Sequence, residues 1–471
     1  MDKTKLIALE FALIELLKGK MQLLQDYAVK EKTIEDAMQT LFTSSEGNRF
    51  LSEKELLDDP DMRSEFVKEF LSYGMIQDLL CDFDIEDIII NAMNPVYIHH
   101  SQKGLVSTGK RFGSTEELRL FIHKLVLFSG RTQVEKIMNM ELPNLEGRVN
   151  LVSSPFGPQL TITKAKMSPL SIIDLVKRRA LTYEVAAQLW LYLEGMSIRP
   201  ANVIIAGGPG VGKTTLLNAL FSFFPEKDRI VVIEDTLELN TAFDDSCSRL
   251  ESGEDFTLAE LVRNSLRMRP ERVIVGEVRG EEARDMMTAV NIGKYCMGTI
   301  HALTSREAII RLQNEPMNIP QELIRLIDVF IVLKRYHVGT DVFRVVDEVS
   351  ETSGMEQEKV LLSHIYKYDY ETNDFKSMAT STVYRDRLAS QAGLLAKDII
   401  LEVQLRAFLL EQLEQKGLST LKEVTNFCRA YNHNPDKAVA ALGFSREKLL
   451  GKNYMDERKR REPGRRSTQP E

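Results

Sequence analysis

Short apolar runs rich in β-branched residues, each ending in glycine or an acid, recur through the middle of the chain: Val203-Ile204-Ile205-Ala206, Ile230-Val231-Val232-Ile233 and Arg272-Val273-Ile274-Val275. Runs this short, with no polar alternation, suit strands buried on both faces of a sheet. Between them the pattern switches to a helical period, as at Leu216, Leu217, Ala219 and Leu220. From about residue 186 to 350, strands alternate with helices as a parallel α/β sheet requires. Val329-Phe330-Ile331-Val332-Leu333 and Val342-Phe343-Arg344-Val345-Val346 flank Gly339 and read as a hairpin extending that sheet.

The flanks have other periods. Residues 1–61 read as amphipathic helices, with Leu13, Leu16, Leu17, Leu23 and Leu24 in helical spacing, forming either a helical cap or an adaptor for partner proteins. Residues 62–185 combine strand-like runs (87–90, 95–98, 149–152, 160–162) with a helix from about 115 to 129, an α+β domain. Residues 170–179 read as its hinge and as part of the adenine end of a pocket, since clefts form where the chain crosses between domains. An α/β domain follows over 186–360. After Lys367 the pattern turns helical, through Ile399, Leu401, Val403, Leu405, Leu409, Leu410, Leu413, Leu418 and Leu421, giving a C-terminal helical domain over 361–450. Residues 451–471 hold no core-forming segment, and disorder is expected there.

At 471 residues the chain is too long for one core. The four cysteines, Cys81, Cys247, Cys296 and Cys428, are widely scattered, which argues against a disulfide framework and fits a reducing cytoplasm. The early run Leu6-Ile7-Ala8-Leu9 is broken by Glu10 and Glu15, and no run reaches the roughly 18 apolar residues that span a bilayer. A net charge of −8 disfavours nucleic acid as the main substrate, because binding phosphates demands a field of Lys and Arg.

The chemistry starts at the first of those strands. Gly207-Gly208-Pro209-Gly210-Val211-Gly212-Lys213-Thr214-Thr215 satisfies the phosphate-loop pattern G-x-x-x-x-G-K-[ST] directly after an apolar run and before a helix start. Glycines let such a loop curl with its N–H groups inward at phosphate oxygens, and the helix adds its positive dipole end. Lys213 then reaches the β- and γ-phosphates. Thr214 offers a hydroxyl to Mg2+, which keeps several waters and shares its site with the nucleotide. ATP, or less readily GTP, is the expected ligand.

The next two strands end in acids. The run to Ile233 leads into Glu234-Asp235-Thr236 with Glu238 beyond, and the run to Val275 leads into Gly276-Glu277-Val278-Arg279. Strand ends are where catalytic groups sit in α/β folds. Glu277 stands at a Walker B position where aspartate is commoner, and its longer side chain suits a contact to Mg2+ through water. Glu234 is then the candidate to orient or deprotonate the attacking water. Gly298-Thr299-Ile300-His301-Ala302 places a histidine after a further strand, where it senses the γ-phosphate or hydrogen-bonds to Glu277.

In this order, the phosphate loop, Ile-Glu-Asp-Thr-Leu-Glu-Leu, Arg-Met-Arg-Pro-Glu-Arg-Val-Ile-Val-Gly-Glu-Val-Arg-Gly and Met-Gly-Thr-Ile-His-Ala resemble the secretion ATPase superfamily, which powers type II and type IV secretion, type IV pili and the archaellum. The resemblance runs from about residue 66 to 444. Glu315-Pro316-Met317-Asn318-Ile319-Pro320 and the stretch from Phe156 to Lys164 draw it towards the archaeal branch. It implies an α/β, RecA-like P-loop ATPase domain with a preceding α+β domain, six subunits in a ring, and nucleotide sites completed by arginines of the N-terminal domain. Arg148, in Gly147-Arg148-Val149-Asn150, matches such an arginine, and Arg131 is the second candidate. Two departures stand out: Thr163 replaces the arginine that commonly precedes lysine, and the stretch 291–297 is short and lacks the usual His-Asp-Gly.

The expectation is a homohexameric Mg-ATPase on the cytoplasmic face of the membrane. It would push on a polytopic platform protein to assemble pilus-like subunits or drive secretion, with no nucleic acid partner. A nucleotide-gated scaffold with little turnover and a RecA-like nucleic-acid motor are the competing readings.

Overall fold

The computed structural model describes residues 3–21, 26–82, 84–101, 103–142, 147–164, 169–235, 237–240, 246–253, 255–338, 341–357, 359–378 and 382–451. Leu23, Leu24, Thr236, Gly339 and the tail from 452 onward lie outside them. The chain divides into two compact units, Met1–Ser168 and Pro169–Glu471.

The first unit opens with helices α1 (Lys3–Leu17), α2 (Tyr27–Thr43), α3 (Leu51–Leu57), α4 (Pro60–Leu71) and α5 (Gln77–Cys81). Strands β1 (Ile85–Asn91), β2 (Tyr97–His100) and β3 (Gly104–Ser107) follow, then helix α6 (Thr115–Phe128) and strands β4 (Ile137–Leu142), β5 (Gly147–Ser154) and β6 (Gly157–Thr163). The strands form one antiparallel sheet in the order β3-β2-β1-β6-β5-β4. Helix α6 starts where Ser114 accepts a hydrogen bond from the Glu117 N–H, with Glu116 and Glu117 favourable at the positive dipole end. Its Leu125 packs with Leu9, Leu13 and Leu17 of α1, Ile34 of α2, Phe70 of α4 and the sheet's Ile88, Val149, Leu151 and Ile162. The N-terminal helices therefore share one core with the sheet. A buried ion pair, Lys124 Nζ to Glu10 Oε2 at 3.3 Å, ties α6 to α1.

The second unit begins with α7 (Ile172–Lys177), α8 (Tyr183–Glu194), β7 (Val203–Gly207), α9 (Lys213–Leu220), β8 (Ile230–Glu234) and β9 (Ser248–Glu251). Next come α10 (Leu258–Ser265), β10 (Arg272–Val275), α11 (Glu282–Asn291), β11 (Tyr295–Ile300), α12 (Ser305–Gln313) and α13 (Gln321–Ile324). The sheet closes with β12 (Val329–Val338), β13 (Asp341–Glu356), β14 (Lys359–Asp369) and β15 (Asp374–Ser377). Helices α14 (Val383–Ala392), α15 (Ala396–Gln415), α16 (Leu421–His433), α17 (Pro435–Ala441) and α18 (Arg446–Leu450) complete it.

Its nine strands run β15-β14-β13-β12-β7-β11-β10-β8-β9. From β12 to β9 neighbours are parallel, and from β12 to β15 they are antiparallel. Because successive side chains of a strand point to opposite faces, β7 sends Val203 and Ile205 into one core and Ile204 and Ala206 into the other. Helices therefore cover both faces, the arrangement of an α/β, RecA-like P-loop fold, with the strand that leads into the phosphate loop at its centre.

Two sequence expectations change. The helical pattern expected after Lys367 begins at Val383, because Tyr366, Tyr368 and Phe375 keep the chain in strands β14 and β15. The segment expected to hinge carries α7, whose Ile172 and Ile173 are buried in the second unit's core beneath a capping box of Ser171 and Asp174. The C-terminal helices also join that core: Leu405, Leu409, Leu410 and Leu413 pack with Trp190 and Phe223. Arg406 is buried there between Glu194 (2.9 Å) and Glu402 (3.2 Å), with its guanidinium 4.7 Å from the Trp190 ring.

Candidate active site

Strand β7 ends at Gly207, and after five intervening residues Lys213 begins α9. Gly212 makes that turn possible: at φ 98° it occupies the left-handed region that costs other residues strain. Gly207, Gly208, Pro209, Gly210, Val211, Gly212, Lys213, Thr214 and Thr215 thus form one loop and the first turn of α9. Val211 is buried, while Lys213, Thr214 and Thr215 are half-buried. The Lys213 ammonium donates to the carbonyls of Gly207 and Gly208, at 3.0 Å each. Burial draws its pKa down, and the nearby Glu277 and Glu238 oppose that shift. A cation curled onto its own loop, at a helix start with unpaired N–H groups, fits a phosphate chain that would take those donors.

Glu234 is the last residue of β8 and is 3% exposed. Its carboxylate accepts hydrogen bonds from the N–H groups of Glu238 (3.1 Å) and Leu239 (3.2 Å), which lower its pKa, but burial dominates and pushes it up to about 7. Asp235 is held differently, by Ser252 Oγ at 2.6 Å and by Arg279.

On the adjacent strand β10, Gly276 and Glu277 follow Val275. Glu277 is about one-third exposed, and His301 Nε2 lies 3.2 Å from its Oε1. His301 comes directly after β11, the strand between β10 and β7. Its pKa is lowered, first by burial and then by Lys213, with Glu277 opposing. Of the two roles expected for His301, the 3.2 Å approach of its Nε2 to Glu277 Oε1 bears on the one that involves Glu277. Thr299 Oγ1 donates to the Gly276 carbonyl at 2.7 Å and so fixes the turn that aims Glu277.

The second unit therefore places the phosphate loop, Glu234, Glu277 and His301 at the C-terminal ends of neighbouring parallel strands of one sheet. Arg148 and Arg131 belong to the first unit. Arg148 lies on β5 between Glu141 of β4 and Thr163 of β6, and Thr163 Oγ1 donates to Asp87 Oδ1 at 2.7 Å. Arg131 follows α6, donates to the Asn139 carbonyl at 2.9 Å and lines a cavity of about 330 Å³ with Lys18 and His123.

Two arginines escaped the sequence reading. Arg344 Nε donates to the Gly210 carbonyl at 3.0 Å, and a Cβ placed on Gly210 would stand 3.8 Å from Arg335 Nη1. Their signal was present in the sequence, since they sit at equal distances from the hairpin turn and so face each other.

Among the described residues no helix is long and apolar enough to cross a membrane, and no group of three or more His, Cys, Asp or Glu is placed to hold a metal. A family model described as type II/IV secretion system protein matches residues 131–333. An uncharacterized protein of Methanocaldococcus jannaschii is 29% identical over 406 residues, which span 82% of this chain and 72% of that protein. Another from the same organism is 32% identical over 248 residues, 51% of this chain and 90% of that one. Among solved structures, the Legionella pneumophila ATPase DotB aligns at 18% identity with a TM-score of 0.45, over 80% of this chain and 94% of DotB.

Proposed function

Because the chain belongs to the type II/IV secretion system protein family, we propose that it is a Mg2+-dependent ATPase motor, working as a homohexamer on the cytoplasmic face of a membrane. Its partner on this reading is a polytopic platform protein of a pilus, archaellum or secretion apparatus. Two of the relatives are archaeal, which agrees with the archaeal character of Glu315 to Pro320.

One observation carries the reading: a buried carboxyl at the end of β8, with a pKa near neutrality, stands one strand from Glu277 in the sheet that holds the phosphate loop. A base poised near the working pH combines a useful ionised fraction with a useful affinity for the proton. Bound ATP and Mg2+ would supply the phosphoanhydride to be cut and the cation that neutralises it. Lys213 would exchange its loop carbonyls for phosphate oxygens, and Thr214 and Glu277 are the residues that would hold Mg2+. His301 steers the Glu277 carboxylate. Glu234 orients the attacking water and takes its proton. Arg148, with Arg131 as second candidate, brings positive charge to the site from the first unit, so that hydrolysis is tied to domain movement.

The test is phosphate release by the purified full chain with Mg-ATP, alongside Glu234→Gln. Wild type is expected to turn over, and the variant to bind ATP yet hydrolyse about 10²- to 10⁴-fold more slowly. An inactive wild type, or a variant as fast as wild type, overturns the proposal. Stimulation by DNA and not by anionic lipid would move the function to the nucleic-acid motors.

A further inference from the structure

The hairpin of β12 and β13 does more than widen the sheet. Leu333 of β12 pairs with Gly207, the last residue of β7, so the five residues from Lys334 to Val338 project past the strand end beside the phosphate loop. In that projection Arg335 is the cross-strand partner of Arg344. Residues directly opposite share a face of the hairpin, and like charges in that position destabilise the pair. Both nevertheless reach the same loop: Arg344 Nε bonds to the Gly210 carbonyl, Arg335 Nη1 lies just off Gly210, and Arg344 Cδ would stand 3.9 Å from a Cβ on Gly212. Two guanidiniums held opposite one another over a phosphate loop form an arrangement that an anion between them relieves.

The reverse face of the hairpin fixes this geometry. Tyr336 pairs with Phe343, their rings stacked at 5.4 Å and 22°. Tyr368 and Tyr370 close on Tyr336 from β14 and the turn beyond it, and Tyr336 and Tyr368 share a hydrogen bond of 2.8 Å. Such clusters hold strands rigid through packing of known geometry. The arginines are thus carried on a stiff support, as a preorganised binding site requires.

Sheet order then assigns the position along the nucleotide. Glu234 ends β8, and Glu277 and His301 follow β10 and β11, all on one side of β7, whereas the arginines rise from β12 and β13 on the other. A triphosphate whose γ end meets the acids, their metal and their water turns its nearer phosphates towards the hairpin. We propose that Arg335 and Arg344 clamp the α- and β-phosphates of the bound nucleotide, the guanidinium forks matching phosphate oxygens. This rests on the nucleotide reading above and adds to it a contact common to ATP and ADP. The clamp holds product as firmly as substrate and so governs nucleotide retention after hydrolysis.

Calorimetric titration of the full chain with ADP and with ATP, in Mg2+, tests this on wild type, Arg335→Gln, Arg335→Gln/Arg344→Gln, the double lysine variant and Lys213→Ala. Arg335 is exposed, so its single variant keeps the fold and the test intact. The double glutamine variant is expected to weaken ADP and ATP alike by about 10- to 100-fold, the scale of one or two charge-assisted bonds. The single variant should lose part of that, and the lysine pair should recover part, since charge returns without the fork. Unchanged affinity in the double variant, while Lys213→Ala loses binding, overturns the clamp and leaves the nucleotide reading standing. A loss confined to ATP also overturns it, because the arginines would then act on the γ-phosphate. A wild type that binds neither nucleotide overturns both.

Discussion

Glu234 lies against Gly276: a Cβ on that glycine would stand 2.8 Å from Glu234 Cγ. Side chains do not tolerate such an approach, so the absence of a side chain at the end of β10 is what lets the carboxyl fold back over the neighbouring strand. Gly276→Ala should therefore displace Glu234 while leaving the phosphate loop in place. Misplacement of a reacting group by about 1 Å costs on the order of 10²-fold in rate. Turnover is expected to fall by about that factor with ADP affinity retained, measured by phosphate release and calorimetry. Unaltered turnover would separate Glu234 from catalysis.

The carboxyl of Glu234 also makes a prediction in pH. Its folded-state pKa, about 7, lies above the ordinary 4.5 because burial disfavours the charged form. Between those values the folded protein holds more protons than the unfolded chain, so the contribution to stability is full below pH 4.5 and is lost as pH rises through 7. Urea denaturation midpoints across this window should fall less steeply for Glu234→Gln than for wild type. Equal slopes would contradict the burial argument. The same pKa predicts that wild-type turnover rises with pH through about 7, as the base ionises.

His301 Nε2 stands 3.2 Å from Glu277 Oε1, and among the described residues no side-chain hydrogen bond joins His301 to the phosphate loop. Replacing it should leave nucleotide affinity within a few-fold and lower turnover by at least about 10-fold, since an unsteered carboxylate aims the metal-bound water less well. The measurement is a comparison of ATP affinity and single-turnover rate in His301→Ala. A variant that binds ATP poorly but cleaves it at the normal rate would assign His301 to binding instead.

Arg148→Ala tests the part of the mechanism that comes from the first unit. If Arg148 acts as an arginine finger, the variant binds ATP normally and turns over about 10³- to 10⁵-fold more slowly. Normal turnover transfers the role to Arg131, tested in the same assay, and normal turnover in both variants removes the finger altogether.

Stability should depend on Arg406. It is buried between Glu194 and Glu402, and Glu402 also bonds to Tyr431 and Arg446. Arg406→Ala leaves two buried carboxylates without their central cation, a change that costs about 3–5 kcal/mol. Urea unfolding should report it as a lower midpoint. Adding Glu194→Gln should restore part of the loss, because the carboxylate left without a cation goes with it, whereas Glu402 keeps Arg446.

Local rules explain what could be read from the chain alone. Glycine spacing, the Lys213-Thr214 step and β-branched runs ending in acids each act through neighbours in sequence, so the phosphate loop, the parallel strands and the positions of Glu234, Glu277 and His301 were legible without a structure. The antiparallel pairing of β12 with β13 was legible for the same reason. What depends on contacts between distant segments was not: the burial that raises the Glu234 pKa comes from packing around β8, and the choice of Glu277 as the partner of His301 comes from the order β7-β11-β10. Strands β14 and β15, the sharing of cores by the terminal helices, and the meeting of Arg335 and Arg344 over Gly210 likewise required the register of strands paired across the fold. A residue's type sets what it can do; its partner and dielectric surroundings, which chain neighbours do not specify, decide what it does.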